Sequence, residues 1–225
     1  MRPVRILAGL CGIAGPLILV SSFMINPAPP AGLAGAALVA WARPHKASLL
    51  LGGWMQGIGS LLMVIFCLAM IDAAGAANRL SGRLTQLAAT TILCVSLIEV
   101  TFYLAAGSSI ASGDMTLGLV SSGLIKAVQH VFLIAPALLL PLGFVLATTR
   151  LIGRLLAWSA LLIGASLQGL GLAGIFMRLQ PVIDVVLIVQ AAWFVLAGLA
   201  FAIGRSERAR RDLHASQAAT DAWLA

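Results

Sequence analysis

The fold is decided by residues 95–133, which read VSLIEVTFYLAAGSSIASGDMTLGLVSSGLIKAVQHVFL. Two apolar segments flank a short polar loop in this stretch. The first segment holds Glu99 and Tyr103, and the second holds Lys126 and His130. A charge placed in hydrocarbon is costly, so such side chains face the interior of a helix bundle and find partners there. The stretch therefore predicts two adjacent membrane helices with polar side chains on their inner faces.

The composition of the whole chain predicts an integral membrane protein. Of 225 residues, 61% are hydrophobic and only 9% are charged, whereas about a quarter of the residues of a soluble domain are charged. No stretch between the apolar segments is long enough for a separate soluble domain. The sequence thus predicts one all-α domain, a polytopic bundle of membrane helices.

Six apolar segments are long enough to cross a bilayer, which takes about 20 residues. They lie at about 6–25, 47–71, 84–107, 119–147, 155–176 and 185–204, so that a transmembrane bundle over 1–204 is followed by a basic tail at 205–225. The fourth segment is the longest, and Pro136 and Pro141 are expected to kink it. Residues 33–41 are apolar but too short to span, which predicts an interfacial or a re-entrant helix.

The first segment has to be distinguished from a signal peptide, which also has a basic start and an apolar core. It follows Arg2 and Arg5 and is long enough to span the membrane. The NPAPPAG sequence that follows it, at residues 26–32, offers no clear cleavage site. We therefore expect a retained first helix.

The basic residues predict the orientation of the helices. With the N-terminus inside, ten of the 14 arginines and lysines lie in cytoplasmic segments, three lie in outer loops, and Lys126 lies within the membrane. Cytoplasmic loops of membrane proteins carry such an excess of positive charge. Both termini are therefore expected on the cytoplasmic side of a bacterial inner membrane. The net charge of +7 comes from basic residues at the ends of helices, where they orient the chain in the membrane. It is therefore not taken as a sign of nucleic acid binding.

Counting residues at a rise of 1.5 Å each places polar side chains from five helices in one layer of the outer half of the membrane. This layer predicts an outward-facing pocket for a ligand or a proton, and its members are Gln56, Glu99, Tyr103, Lys126, Gln129, His130, Gln168 and Gln190. Glu99 is expected within salt-bridge reach of Lys126 or His130, because pairing offsets part of the desolvation of each charge. Such residues also act as simple hydrogen-bonding links between helices, worth about 1 kcal/mol each.

The sequence predicts no cofactor, no metal site and no catalytic residue. His130 is the one histidine inside a predicted span, whereas a zinc site takes three or four protein ligands. Cys11, Cys67 and Cys94 lie in three different apolar segments, and no disulfide is expected. The chain contains no phosphate-binding loop, dinucleotide fingerprint or serine-hydrolase motif in a suitable context.

Small residues recur at a spacing of four on two of the predicted helices. Gly53 and Gly57 lie on the second helix, and Ala165, Gly169 and Ala173 lie on the fifth. This spacing lets a neighbouring helix approach closely. The two faces predict close helix packing and offer a surface through which the protein forms a homo-oligomer.

Three stretches resemble a bacterial domain-of-unknown-function family of integral membrane proteins with six to seven helices. They are RILAGLCGIAG at residues 5–15, LIEVTFYLAAG at 97–107 and QHVFLIAPALLLPLGFVLATTRLIGRLLAWSALLIGA at 129–165. In that family an arginine commonly precedes the glutamate of the third helix by one turn, and Ser96 occupies that position here. The resemblance implies the topology and draws attention to Glu99 and His130, with Lys126 supplying the positive charge. It implies no activity.

Three functions are compatible with the polar layer. The favoured one is a module that binds or transports a small molecule, linked to protons through Glu99 and His130. The second is a structural or assembly protein whose polar layer only holds the helices together. The third is a membrane enzyme that uses Glu99 and His130 as acid and base. The lipid bilayer surrounds the protein in each case.

Overall fold

The computed structural model describes residues 2–26, 35–134, 138–174, 176 and 180–204, and the predicted all-helical fold is confirmed there. The helices are α1 (Arg2–Ile25), α2 (Gly35–Ala42), α3 (Lys46–Ala73), α4 (Leu80–Ser112), α5 (Met115–Ile134), α6 (Leu139–Thr149), α7 (Arg154–Gly174) and α8 (Gln180–Ile203). The predicted basic tail at 205–225 lies outside the described residues.

Five of these helices, α1, α3, α4, α7 and α8, are long and apolar enough to cross a membrane. Each of them covers most of one predicted span. Large apolar side chains such as Leu7, Leu97 and Leu162 are exposed on their outer faces. Lipid tails are as apolar as these side chains, so such faces are suited to a bilayer. The described part of the chain thus has the features of a multi-pass membrane protein.

The described residues of the predicted fourth span, at 119–147, belong to two helices. They are α5 and α6, and residues 135–137 between them, with Pro136, lie outside the described residues. Pro141 lies in the first turn of α6, where the missing amide hydrogen of proline breaks no hydrogen bond within the helix. The described residues of this span thus lie on α5 and α6, and the kink predicted at Pro136 lies outside the described residues.

The predicted loop at 108–118 is shorter than expected, because α4 continues to Ser112. Gly113 ends the helix in the left-handed conformation, with a φ of 73°, which glycine adopts without steric cost. Asp114 Oδ1 then accepts a hydrogen bond of 3.0 Å from the backbone N of Leu117, as in the N-terminal cap of a helix. The turn between α4 and α5 consequently consists of two residues.

The predicted short segment at 33–41 corresponds to α2, which contacts α5; residues 33 and 34 lie outside the described residues. Its eight residues extend over only about 12 Å, so this helix does not cross a bilayer. Trp41, in its last turn, stacks on His45 with 4.6 Å between the ring centroids. The alternatives of an interfacial and a re-entrant helix both stay open.

Glycines bring α1 into close contact with α3 on one side and with α8 on the other. A Cβ atom on Gly15 would lie 2.9 Å from Gly59 O, and one on Gly9 would lie 2.8 Å from Gly198 O. The start of α1 lies beside the end of α8, where Arg5 Nε donates a hydrogen bond of 2.6 Å to Phe201 O. Both helices therefore have their chain-terminal ends on the same side of the bundle, which is called the terminal end below.

The best-packed apolar core lies toward the terminal end. Phe66 of α3 contacts Phe194 and Phe201 of α8 edge to face, with ring centroids 6.3 and 5.8 Å apart. Leu142 and Leu146 of α6 are fully buried in the same core. The opposite half of the bundle, toward Gly113, is where the polar residues of α3 and α4 meet.

Candidate functional site

The candidate site lies at the interface of α3 and α4, which pack closely and antiparallel to each other. A Cβ atom on Gly53 would lie 2.9 Å from Tyr103 Cβ, and one on Gly57 would lie 3.2 Å from Val100 Cγ2. The predicted close approach at this glycine pair is therefore present in the fold. It brings the backbones near enough for short polar side chains to meet across the interface.

Gln56 and Glu99 form a hydrogen-bonded pair in the centre of this interface. Gln56 Nε2 donates to Glu99 Oε2, and the two side chains are only 3% and 1% exposed, respectively. One helical turn toward the terminal end, Ser96 Oγ donates a hydrogen bond of 2.8 Å to Ser60 Oγ. Two residues of the predicted polar layer are thus in direct contact, and the Ser96–Ser60 hydrogen bond joins the same two helices one turn away.

Each member of the Gln56–Glu99 pair keeps one buried oxygen without a donor. Glu99 Oε1 and Gln56 Oε1 are inaccessible to solvent, and neither accepts a hydrogen bond from any residue that the structure describes. A buried acceptor left unsatisfied costs about 1–3 kcal/mol, and more if it is charged. The pair is therefore short of a hydrogen-bond donor, whether that donor is a proton, a ligand or a side chain beyond the described ones.

A buried stripe extends from this pair along α4 to the end of that helix. It consists of Ser96, Glu99, Tyr103, Ala106 and Ser109, at the spacing of one helix face. Ser109 Oγ donates a hydrogen bond of 2.7 Å to Ala106 O. A polar face thus extends inside the protein from the middle of α4 to its Gly113 end.

The same stripe meets α5 at its outer end. A Cβ atom on Gly118 would lie 2.9 Å from Ser109 Oγ, and Ser121 of α5 is also buried. Sequence reasoning did not select Ser60, Ser109 or Ser121. In the sequence, these serines differ from other serines only in lying on the inner faces of their helices. That difference can be recognised only when it is known which helix faces are in contact.

Three of the predicted site residues, Lys126, Gln129 and His130, lie on α5, which packs against α4. Their side chains lie outside the described part of the structure. The predicted pairing of Glu99 with Lys126 or His130 therefore stays a prediction. The hydrogen bond with Gln56 was not predicted, although Gln56 was placed in the same layer.

The remaining predicted residues lie on α7 and α8. Gln168 is exposed on α7, and Gln190 is half-buried on α8. The Gln56–Glu99 hydrogen bond includes neither of them. The part of the predicted layer in which the structure shows a direct contact is thus the Gln56–Glu99 pair.

Two grooves accompany the α3–α4 pair, but Glu99 and Gln56 line neither of them. One has a volume of about 530 Å³ and is lined by Lys46, Leu50, Leu104, Gly107, Ser108 and Ser112. The other has a volume of about 180 Å³ and is lined by apolar side chains, among them Trp54 and Leu97. The predicted outward-facing polar pocket is not visible among these grooves.

The described residues contain no group of three or more His, Cys, Asp or Glu side chains that could hold a metal ion. Cys11, Cys67 and Cys94 are free thiols.

Comparison of the chain with models of protein families, with curated proteins and with solved structures finds no match. The resemblance to a family of bacterial membrane proteins therefore stays a prediction.

Proposed function

We propose that this chain is a multi-pass protein of the bacterial inner membrane that binds or transports a small molecule between its helices. In this proposal the chain crosses the membrane six times, with α5 and α6 together forming the fourth crossing. Both termini lie in the cytoplasm, as the ten-to-three distribution of basic residues favours. The antiparallel contact between α1 and α8 at the terminal end supports an even number of crossings.

The observation that carries the proposal is the state of Glu99. This carboxyl group is fully buried, hydrogen-bonds to a neutral amide and keeps one oxygen without a donor among the described residues. Ionisable residues inside a membrane bundle are expensive and mark substrate or ion pathways. A group placed only for stability would be expected to have its hydrogen bonds satisfied.

Ligand binding by purified protein tests this function. Wild type in mild detergent is screened for thermal stabilisation by a panel of small organic cations, anions and neutral polar compounds. A ligand at 100 times its Kd stabilises the folded state by about 2.7 kcal/mol. A compound that stabilises wild type but not Glu99→Gln, while still stabilising Thr101→Val, supports the proposal. Thr101 is a suitable control because it lies on α4 but is exposed.

A structural or assembly role is the second candidate. The Gln56–Glu99 and Ser60–Ser96 hydrogen bonds join the same two helices, which is how polar residues stabilise helix contacts in membranes. This role predicts that no compound stabilises the protein through Glu99. It also predicts that replacing the whole polar set by apolar residues of similar size leaves the protein functional in the cell.

The homo-oligomer predicted from small-residue faces also remains a proposal. On α7, a Cβ atom on Gly169 would meet nothing within 4 Å, and Ala165 is exposed. Among the described residues, no atom thus approaches Gly169 closely, and we propose this face as the contact with a second copy.

A further inference from the structure

We propose that the Gln56–Glu99 pair is a proton-binding site, and that its exchange of one proton is coupled to the binding or movement of the small molecule. This inference rests on the proposed function and names its coupling ion. It starts from the two buried oxygens without a donor, Glu99 Oε1 and Gln56 Oε1.

The number of donors and acceptors in the pair favours a proton. An ionised carboxylate only accepts hydrogen bonds, and so does the oxygen of an amide. The amide nitrogen of Gln56 already donates to Glu99 Oε2. A proton on Glu99 Oε1 turns that oxygen from an acceptor into a hydrogen-bond donor. One proton therefore removes the negative charge and supplies a donor to a pair that lacks one.

A metal ion fits the same place less well. Hard cations such as Ca²⁺ and Mg²⁺ take about six or more oxygen ligands. The pair offers two free oxygens, and the hydroxyl groups of Ser60 and Ser96, one helical turn away, are hydrogen-bonded to each other. Among the described residues, Glu99 belongs to no group of three or more His, Cys, Asp or Glu side chains that could hold a metal ion.

Few titratable side chains surround Glu99 on the described parts of α3, α4 and α6. On α4 the titratable neighbour is Tyr103, one turn from Glu99 on the same buried stripe. On α3 the titratable side chains, Lys46, Cys67 and Asp72, lie at least ten residues from Gln56 along the helix, which is about 15 Å. The α6 sequence has no titratable side chain.

On α5 the titratable residues are Lys126 and His130, whose side chains lie outside the described ones. Toward the end of α4, the polar members of the stripe are Tyr103 and Ser109. In this proposal a proton reaches Glu99 from the Gly113 end of α4, along the stripe that holds Ser109 and Tyr103. This path does not cross the apolar core.

Infrared difference spectroscopy of the full chain in lipid vesicles tests the inference, with the proton itself as the probe. A protonated carboxyl group gives a carbonyl stretching band that disappears when the group ionises. We expect one such band to appear and disappear as the pH is changed. It should be lost in Glu99→Gln and retained in Asp72→Asn, which removes an exposed carboxyl group from the end of α3.

A second variant keeps the test decisive if Glu99→Gln does not fold. Gln56→Leu removes the hydrogen-bond partner of the acid and should shift the frequency of the same band. Absence of any titrating band over the pH range in which wild type stays folded would overturn the inference. A band that responds to Na⁺ at constant pH and not to pH would overturn it in favour of a metal cation.

The outcome is independent of the ligand screen. A Glu99 band that titrates, combined with a screen without hits, would leave proton exchange standing and count against the small-molecule function. A ligand whose binding depends on Glu99, combined with the absence of the band, would support the small-molecule function and overturn proton exchange.

Discussion

Gln56 donates a hydrogen bond to Glu99 across the α3–α4 interface, and both side chains are buried there. Gly53 and Gly57, on either side of Gln56 in the sequence, let α4 approach α3 closely, so the spacing of the two backbones bears on this polar contact. A change to either should therefore be measurable in the stability of the protein.

Replacing Gln56 by leucine is expected to lower the free energy of unfolding by about 1–3 kcal/mol, because it leaves the Glu99 carboxyl group without its donor. Adding Glu99→Leu to the same chain should restore part of the loss, since two apolar side chains of similar shape leave no polar group unsatisfied. Denaturant unfolding in mild detergent measures both changes. Thr101→Val should stay within about 0.5 kcal/mol of wild type. Wild-type stability of the Gln56→Leu variant would show that the hydrogen bond contributes nothing.

The second prediction concerns the glycine that faces Tyr103. Gly53→Ala places a Cβ atom 2.9 Å from Tyr103 Cβ and should destabilise the protein by about 1–3 kcal/mol through overpacking. Gly123→Ala on α5 is the matched control, because an added Cβ atom there meets nothing within 4 Å. The control should be neutral or slightly stabilising, since alanine favours helix by up to about 1 kcal/mol over glycine. A tolerated alanine at position 53 would contradict the close contact.

The sequence predicted how deep in the membrane the polar side chains lie. It did not predict which faces of the helices are turned toward each other. Counting residues placed Gln56 and Glu99 in one layer, because the rise of a helix is constant. Which faces of α3 and α4 touch depends on Gly53 and Gly57 together with the bulky Tyr103, and this depends on tertiary packing. The predicted partner of Glu99 was therefore a cation on α5, and the amide on α3 was not foreseen.

The helix boundaries that were missed have local causes. GSSIAS, at residues 107–112, is rich in small polar residues and resembles a loop, yet it continues α4 until Gly113 ends the helix. In the fourth span, kinks were predicted at Pro136 and Pro141. Pro141 lies in the first turn of α6, which tolerates proline.

The third prediction concerns the contact between the two chain ends of the bundle. Arg5 Nε donates to Phe201 O, and its guanidinium group lies over the Phe201 ring, 4.7 Å from the centroid. Arg5→Lys should destabilise the protein almost as much as Arg5→Gln, because an ammonium group lacks the planar geometry that both contacts use. Arg83→Gln, at an exposed position, serves as the control for the loss of a charge. Full stability of Arg5→Lys would show that charge alone matters here.

The fourth prediction tests the orientation of the bundle. In a chain whose own cysteines are replaced, a cysteine at Ser112 should react with a membrane-impermeant reagent added to whole cells. Ser112 is exposed at the Gly113 end of α4. A cysteine at Asn78, exposed in the turn between α3 and α4, should react only after the cells are opened, because this turn lies with Arg79 and Arg83 on the predicted inner side. The reverse pattern of labelling would invert the topology.

The last prediction concerns the charge partner of Glu99 on α5. If Lys126 holds the ionised carboxyl group, Glu99→Gln strands a buried cation, and breaking a buried ion pair in this way costs about 3–5 kcal/mol. The double variant Glu99→Gln with Lys126→Met should then be more stable than Glu99→Gln alone. The same cycle with His130→Leu in place of Lys126→Met identifies which base is the partner. If Glu99 takes up a proton, the interaction energy that the cycle measures between Glu99 and its base should decrease in acid. A neutral Glu99 no longer attracts a cation. Strictly additive losses at every pH, for both bases, would show that Glu99 has no charge partner on α5 and that Gln56 is its main contact.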